Sequence, residues 1–143
     1  MITTRAMPTA VALWTIAVGG ARAADVAGLW KTAVAGGLIR IEHCGEDICG
    51  RSVSSKELRV HPDQTDIRNP DPALRGRPIK GLLVLELRPR GPDSWGDGWI
   101  YDPRHGATYH GSAKLDDPGR LRVTGCVVAP LCQSQTWLRA DGD

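Results

Sequence analysis

Gly125-Cys126-Val127-Val128-Ala129-Pro130-Leu131-Cys132-Gln133-Ser134-Gln135-Thr136-Trp137-Leu138-Arg139 is the stretch whose reading decides the fold. Two cysteines enclose a tight apolar loop, and the run after them reads as a strand ending in Trp137 and Arg139. Only four residues follow it, which predicts a closing strand that completes a sheet or barrel. Immediately upstream, Arg120–Cys126 alternates with Leu121, Val123 and Gly125 on one face. Ala107–Leu115 does the same, with Tyr109, Gly111, Ala113 and Leu115 opposed to Thr108, His110, Ser112 and Lys114. Strict alternation marks a half-buried strand, and Asp116-Asp117-Pro118-Gly119 is a strong turn between these two.

The pattern continues towards the N-terminus. Ser94–Asp102 is aromatic-rich and carries Gly96-Asp97-Gly98, a predicted bulge. Gly81–Arg88 is apolar on both faces and reads as central, with a turn expected over Pro89–Asp93. Leu38–Cys44 places Ile39 and Ile41 opposite Arg40 and Glu42, and Ile48–Ser55 returns beside it after Gly45-Glu46-Asp47. Gly28–Val34 opens the set and ends at Gly36-Gly37. Leu58–Lys80 breaks the rhythm, since Pro62, Pro70, Pro72 and Pro78 exclude a central strand. Within it Asp71 is placed to cap one helical turn, with Pro72 at its first position and Gly76 at its end. The sum is an all-β, eight-stranded antiparallel up-and-down barrel with one long ordered loop between strands 3 and 4. Closure leaves no open edge, and an interior of this size holds side chains or one small ligand.

Composition narrows the setting. Of the 143 residues, the first 23 have a short basic start at Arg5, an uncharged apolar run from Met7 to Gly20, and Ala21-Arg22-Ala23. That order predicts a signal peptide cleaved near Ala23, which would leave one domain over residues 24–143. The apolar run is shorter than the roughly 20 residues of a membrane helix, so no transmembrane segment is expected in the mature form. The chain has 18 Lys and Arg against 16 Asp and Glu; Arg5 and Arg22 leave with the signal, so the remainder is 16 against 16. No basic block stands out, which excludes a nucleic-acid footprint. Four cysteines in an exported chain favour disulfides. Three pairings are possible, and the local ones, Cys44–Cys49 and Cys126–Cys132, are the economical choice. The rival is a zinc site, which Cys-x4-Cys and Cys-x5-Cys spacings disfavour.

Four separated motifs carry a family resemblance: Cys44–Gly50 (CGEDICG), Asn69–Pro78 (NPDPALRGRP), Trp99–Pro103 (WIYDP) and Gly125–Trp137. In that order they resemble the bacterial family catalogued as domain of unknown function 2147. The resemblance implies a periplasmic or secreted, lipocalin-like β-barrel that holds a small apolar molecule, with no catalytic residues to carry over. Gly28-Leu29-Trp30 also resembles the Gly-x-Trp opening of lipocalins, whose Trp plugs one barrel end beneath an Arg from a late strand; Arg139 is the matching residue here. The chain is shorter than lipocalins and lacks their C-terminal helix, which argues against a large cavity.

The candidate ligand-binding residues are Tyr101, Tyr109, Trp99, Arg75, Arg77 and Asn69. The tyrosine hydroxyls are suited to orienting a polar head group, and paired arginines to forking onto a carboxylate or phosphate. The competing reading makes Asn69 and Asp71 turn caps and the arginines loop ties to Asp102 or to backbone carbonyls. Trp30, Trp137 and Arg139 are assigned structural roles at the barrel end. His43, His61, His105 and His110 show no ligand spacing, and Ser134 lacks a Gly-x-Ser-x-Gly elbow. No catalysis, metal or cofactor is expected. The expected partner is a small apolar or amphipathic molecule; the alternative is an envelope or interaction module with a solid barrel.

Overall fold

Strands with one apolar face remove it from water when the sheet curls until its first and last strands pair. In the computed structural model eight strands do so: β1 (Gly28–Lys31), β2 (Leu38–Cys44), β3 (Asp47–Ser54), β4 (Leu83–Gly91), β5 (Ser94–Asp102), β6 (Ala107–Asp117), β7 (Arg120–Cys126) and β8 (Cys132–Arg139). Consecutive strands pair antiparallel, and Trp30↔Arg139 and Lys31↔Leu138 join β1 to β8 and close the barrel. The structure describes residues 2–3, 11–16 and 25–140. The expected signal peptide lies largely outside them, and its cleavage site wholly so. Among the described residues no helix is long and apolar enough to cross a membrane.

The alternation is realised strand by strand. Ile39 and Ile41 are buried between exposed Arg40 and Glu42, and Leu121 and Val123 are buried on β7. On β6, Gly111, Ala113 and Leu115 point inward. The Gly96–Gly98 irregularity is present: the β5–β6 register shifts between Trp95 and Gly98, and Asp97 adopts φ 50°. A Cβ at Gly98 would collide with the Glu86 carbonyl, so only glycine lets β5 lie this close to β4.

Three boundaries differ from the sequence reading. β4 continues through the expected turn to Gly91, and its register slips around Pro89, where the backbone has no N–H to give. β1 stops at Lys31, because the Thr32 N–H turns to the Gly37 carbonyl at 2.8 Å and closes the β1–β2 loop. A short helix, α1 (Lys56–Val60), follows β3, capped by Ser55 Oγ accepting from the Leu58 N–H at 3.0 Å. Five residues are too few for a periodicity to show.

The long loop is ordered by its own bonds. Thr65 bridges Pro78, the Asp66 N–H donates to Arg77 O at 2.9 Å, and the Ile79 N–H donates to Gln64 O at 3.0 Å. The predicted turn is a 3-10 helix over Pro72–Leu74, with Asp71 accepting from the Ala73 N–H at 3.0 Å. Gly106, at φ 62°, packs on the Arg68 carbonyl where a Cβ would clash, tying the loop to the β5–β6 turn. Cys44–Cys49 and Cys126–Cys132 are both bonded, and among the described residues no cysteine is free.

Candidate functional site

The two barrel ends differ in chemistry. At one, Trp30 is fully buried and donates from Nε1 to the Val26 carbonyl at 2.9 Å. Arg139 lies over its ring at 4.4 Å from the centroid and donates to the carbonyls of Pro118, Ala27 and Asp25 at 2.7, 3.0 and 2.6 Å. The guanidinium thus stitches the β1 entry to the β6–β7 turn. Behind Trp30, the side chains of Ile41, Ile48, Leu87 and Leu121 are also almost wholly excluded from solvent. This half is solid.

The other half is hollow. A cavity of about 680 Å³ opens between the β1–β2, β3–β4, β5–β6 and β7–β8 connections. Its inner wall is apolar, with Ile39, Val84, Ile100, Val123 and Trp137. Trp137 therefore faces the cavity rather than the sealed end, its Nε1 donating to Gln135 Oε1 at 3.2 Å. The size falls within the roughly 300–1,000 Å³ of small-molecule sites. It exceeds what the short chain implied, because long side chains fill only the sealed half. Ser52 also lines the wall at 8% exposure, and among the described residues its hydroxyl has no hydrogen-bond partner. Buried hydroxyls ordinarily find one. At the rim stand Glu57, Gln64, Arg68, Arg104 and His105.

Two of the six candidate ligand residues, Tyr101 and Tyr109, line this cavity. Trp99, Arg77 and Asn69 border a crevice of about 400 Å³ with Leu83, Leu74 and Thr108. Because Ile100 points inward, Trp99 and Tyr101 leave β5 on the outer face, where the long loop covers Tyr101. The Tyr101 hydroxyl donates to Asp66 Oδ1 at 2.6 Å and accepts from Asn69 Nδ2 at 3.2 Å. Asn69 Nδ2 also reaches Asp66 Oδ2 at 2.9 Å, and its Oδ1 accepts from the Asp71 N–H at 2.8 Å. Arg77 donates to Asp66 Oδ2 at 2.9 Å and lies 5.5 Å from the Tyr101 ring centroid. Arg75 donates to the Asn69 carbonyl at 2.8 Å. The structure brings four of the six into one loop-fastening cluster around Asp66.

Asp66 is fully buried. Burial alone would raise its carboxyl, but bonds from Tyr101, Asn69 and Arg77 outweigh it and hold the group below its ordinary value. The same burial, with the Asp66 carboxylate beside it, pushes the Tyr101 phenol up. Asp102 is engaged by Arg104 and by His105 Nδ1 at 2.7 Å, not by the loop arginines. Burial works against its ionisation, yet His105 and Arg104 keep its carboxyl lowered. Among the described residues no three His, Cys, Asp or Glu side chains gather as a metal site. Sequence reasoning missed Ser52, Arg68, Val84, Val123 and Gln135. Alternation carried forward from Ile48 puts Ser52 inward, so that residue was readable; Arg68 sits in irregular backbone and gave no signal.

The closed antiparallel meander, plugged at one end and hollow at the other, is a lipocalin-like barrel. The family model described as "Uncharacterized protein conserved in bacteria (DUF2147)" matches residues 28–139, and the chain belongs to that family. The chain is similar in structure to protein HP1028 from the human pathogen Helicobacter pylori, which is described as belonging to the lipocalin family. The TM-score is 0.72 at 22% identity, covering 82% of this chain and 84% of that one. No curated protein matches the chain.

Proposed function

We propose that this protein is an exported carrier, periplasmic or secreted, that holds one apolar or amphipathic small molecule in the open-end cavity without catalysing a reaction on it. The carrying observation is the cavity itself, with its apolar wall and a buried Ser52 hydroxyl that has no hydrogen-bond partner among the described residues. Lipocalin barrels are of a size to hold one small ligand. Each methylene withdrawn from water contributes about 0.8 kcal/mol, so a short alkyl chain against Ile39, Val84 and Val123 supplies useful affinity. Tyr109, Ser52 and Gln135 would orient a polar group, and Tyr101 would stiffen the wall from outside. Asn69, Arg75, Arg77 and Trp99 are assigned to the loop and its crevice. Two disulfides, the leader pattern and a bacterial family support export. A solid-barrel interaction module fits less well, because half the barrel is empty.

The test is native mass spectrometry with lipid extraction of gently purified protein, followed by titration with a lipophilic naphthylamine dye. Retained lipid, or dye binding lost on Val123→Phe, is the expected result. Protein that retains nothing and takes up no dye would defeat the proposal.

A further inference from the structure

Two neighbouring loops at the cavity mouth have an unusual composition. The β1–β2 loop, residues 32–37, and the β7–β8 loop, residues 127–131, contain no charged side chain. Their apolar residues face water: Val34 is 43% exposed, Val127 60%, Val128 58% and Leu131 66%. Pairing of β8 with β1 puts the two loops side by side, and Val34, Val127 and Leu131 also line the cavity. Cys126–Cys132 closes the second loop at its base, so its side chains cannot spread or withdraw far. Clustered apolar exposure on one face marks an interaction site, whereas scattered single residues would not.

Charge indicates the occupant. Lys56 and Arg59 of α1 lie against Gly36 of the first loop, at 3.5 and 3.7 Å from where its Cβ would stand. Among the described residues neither has a carboxylate partner, and the same holds for Arg68 at the rim. Residues 55–82 carry six Lys and Arg against four Asp and Glu, including Glu57 and Asp63 near α1. The turns at the opposite end carry Glu46, Asp47, Asp93, Asp97, Asp116 and Asp117, and there Arg90, Arg120 and Arg122 pair with Asp97, Asp117 and Asp116. Among the described residues, cations without a carboxylate partner thus border the apolar mouth, whereas the arginines of the plug-end turns pair with carboxylates beside them.

We propose that the open end docks on an anionic phospholipid bilayer. The β1–β2 and β7–β8 loops insert among the headgroups while Lys56, Arg59 and Arg68 meet the phosphates. Exposed aliphatic side chains flanked by cations are the pattern of interfacial binding. In this pose the cavity opens towards lipid rather than bulk water. The surface does not depend on what the cavity holds, so docking and ligand binding can fail separately.

The experiment is co-sedimentation of the mature protein with vesicles containing phosphatidylglycerol, against vesicles of phosphatidylcholine alone. Binding should favour the anionic vesicles and weaken in high salt as screening shortens. Val128→Asp with Leu131→Asp should abolish it, and Lys56→Gln and Arg59→Gln should weaken it roughly fivefold per charge removed. All four side chains are exposed, so circular dichroism should be unchanged. Val123→Phe, which projects a ring into the cavity, should bind vesicles like the unaltered protein even if dye uptake is lost. Absence of sedimentation, or sedimentation indifferent to the loop substitutions, overturns the proposal. So does a concentration-dependent dimer that those substitutions abolish without any vesicle binding, since the loops would then serve a second copy.

Discussion

Arg139 shows how much one side chain can organise. Its planar fork donates to three carbonyls from two separate segments while its face covers Trp30. A lysine has the charge but neither the fork nor the flat face, so it can satisfy only part of this set. Hydrogen bonds to charged groups contribute about 1.5–3 kcal/mol each, and deleting them strands the carbonyls. Arg139→Ala should therefore lower stability by about 3 kcal/mol, and Arg139→Lys should recover less than half of that loss. Urea denaturation checks both; full rescue by lysine would mean that charge alone matters there. Sequence alone identified this pair because Gly28-Leu29-Trp30 and Arg139 sit in the first and last strands, which closure forces together. Asn69, Arg75 and Arg77 were harder. Their types suit an anion site and a loop anchor equally, and only the position of buried Asp66 separates the two.

At the scale of elements, the long loop is the part most dependent on polar contacts. It has few buried apolar side chains, and Asp66 fastens it to β5 through Tyr101. The folded Asp66 carboxyl titrates below the 3.8 of the free side chain. A group with a depressed folded value stabilises fully above its unfolded value and loses that contribution as pH falls through the folded one. Stability should therefore decline from about pH 4 downwards and stay flat with respect to Asp66 at neutral pH. Asp25 and Asp102 are lowered too, the first chiefly by the Ala27 N–H and His43, so they steepen the same acid limb. Asp66→Asn should cost about 2 kcal/mol at neutral pH by leaving Arg77 and Tyr101 poorly matched, and should flatten part of the acid limb. Urea midpoints across the acid range decide it, and parallel curves would remove Asp66 from the account. Proline content made this loop visible in the sequence, as did Asp71-Pro72. Its docking on the outer face of β5 was not visible, because an aromatic pair such as Trp99 and Tyr101 looks the same whether it faces core, ligand or loop.

For the whole molecule, the division into a packed half and a hollow half decides what each disulfide does. Strand alternation made the barrel legible, but alternation gives only which side chains point inward, not whether they meet across the axis. Small or short inward residues stand in both halves, Gly111 and Ala113 in the packed one and Ser52, Val123 and Gly125 on the cavity, so the cavity followed only from closure and tilt. Cys44–Cys49 sits at the β2–β3 turn beside the plugged end, whereas Cys132 forms part of the cavity wall. Each bond closes a short loop, worth about 2 kcal/mol in chain entropy. Replacing either pair by serine should therefore lower stability by a similar amount, about 2 kcal/mol. Only the Cys126/Cys132 replacement should also weaken dye binding, because the freed β7–β8 loop no longer holds Val127 and Leu131 at the mouth. The Cys44/Cys49 replacement should leave dye affinity unchanged, since Ile41, Ile48 and Leu87 separate that turn from the cavity. Equal losses of affinity in the two variants would show that the barrel responds as one unit and that the packed half does not insulate the hollow one.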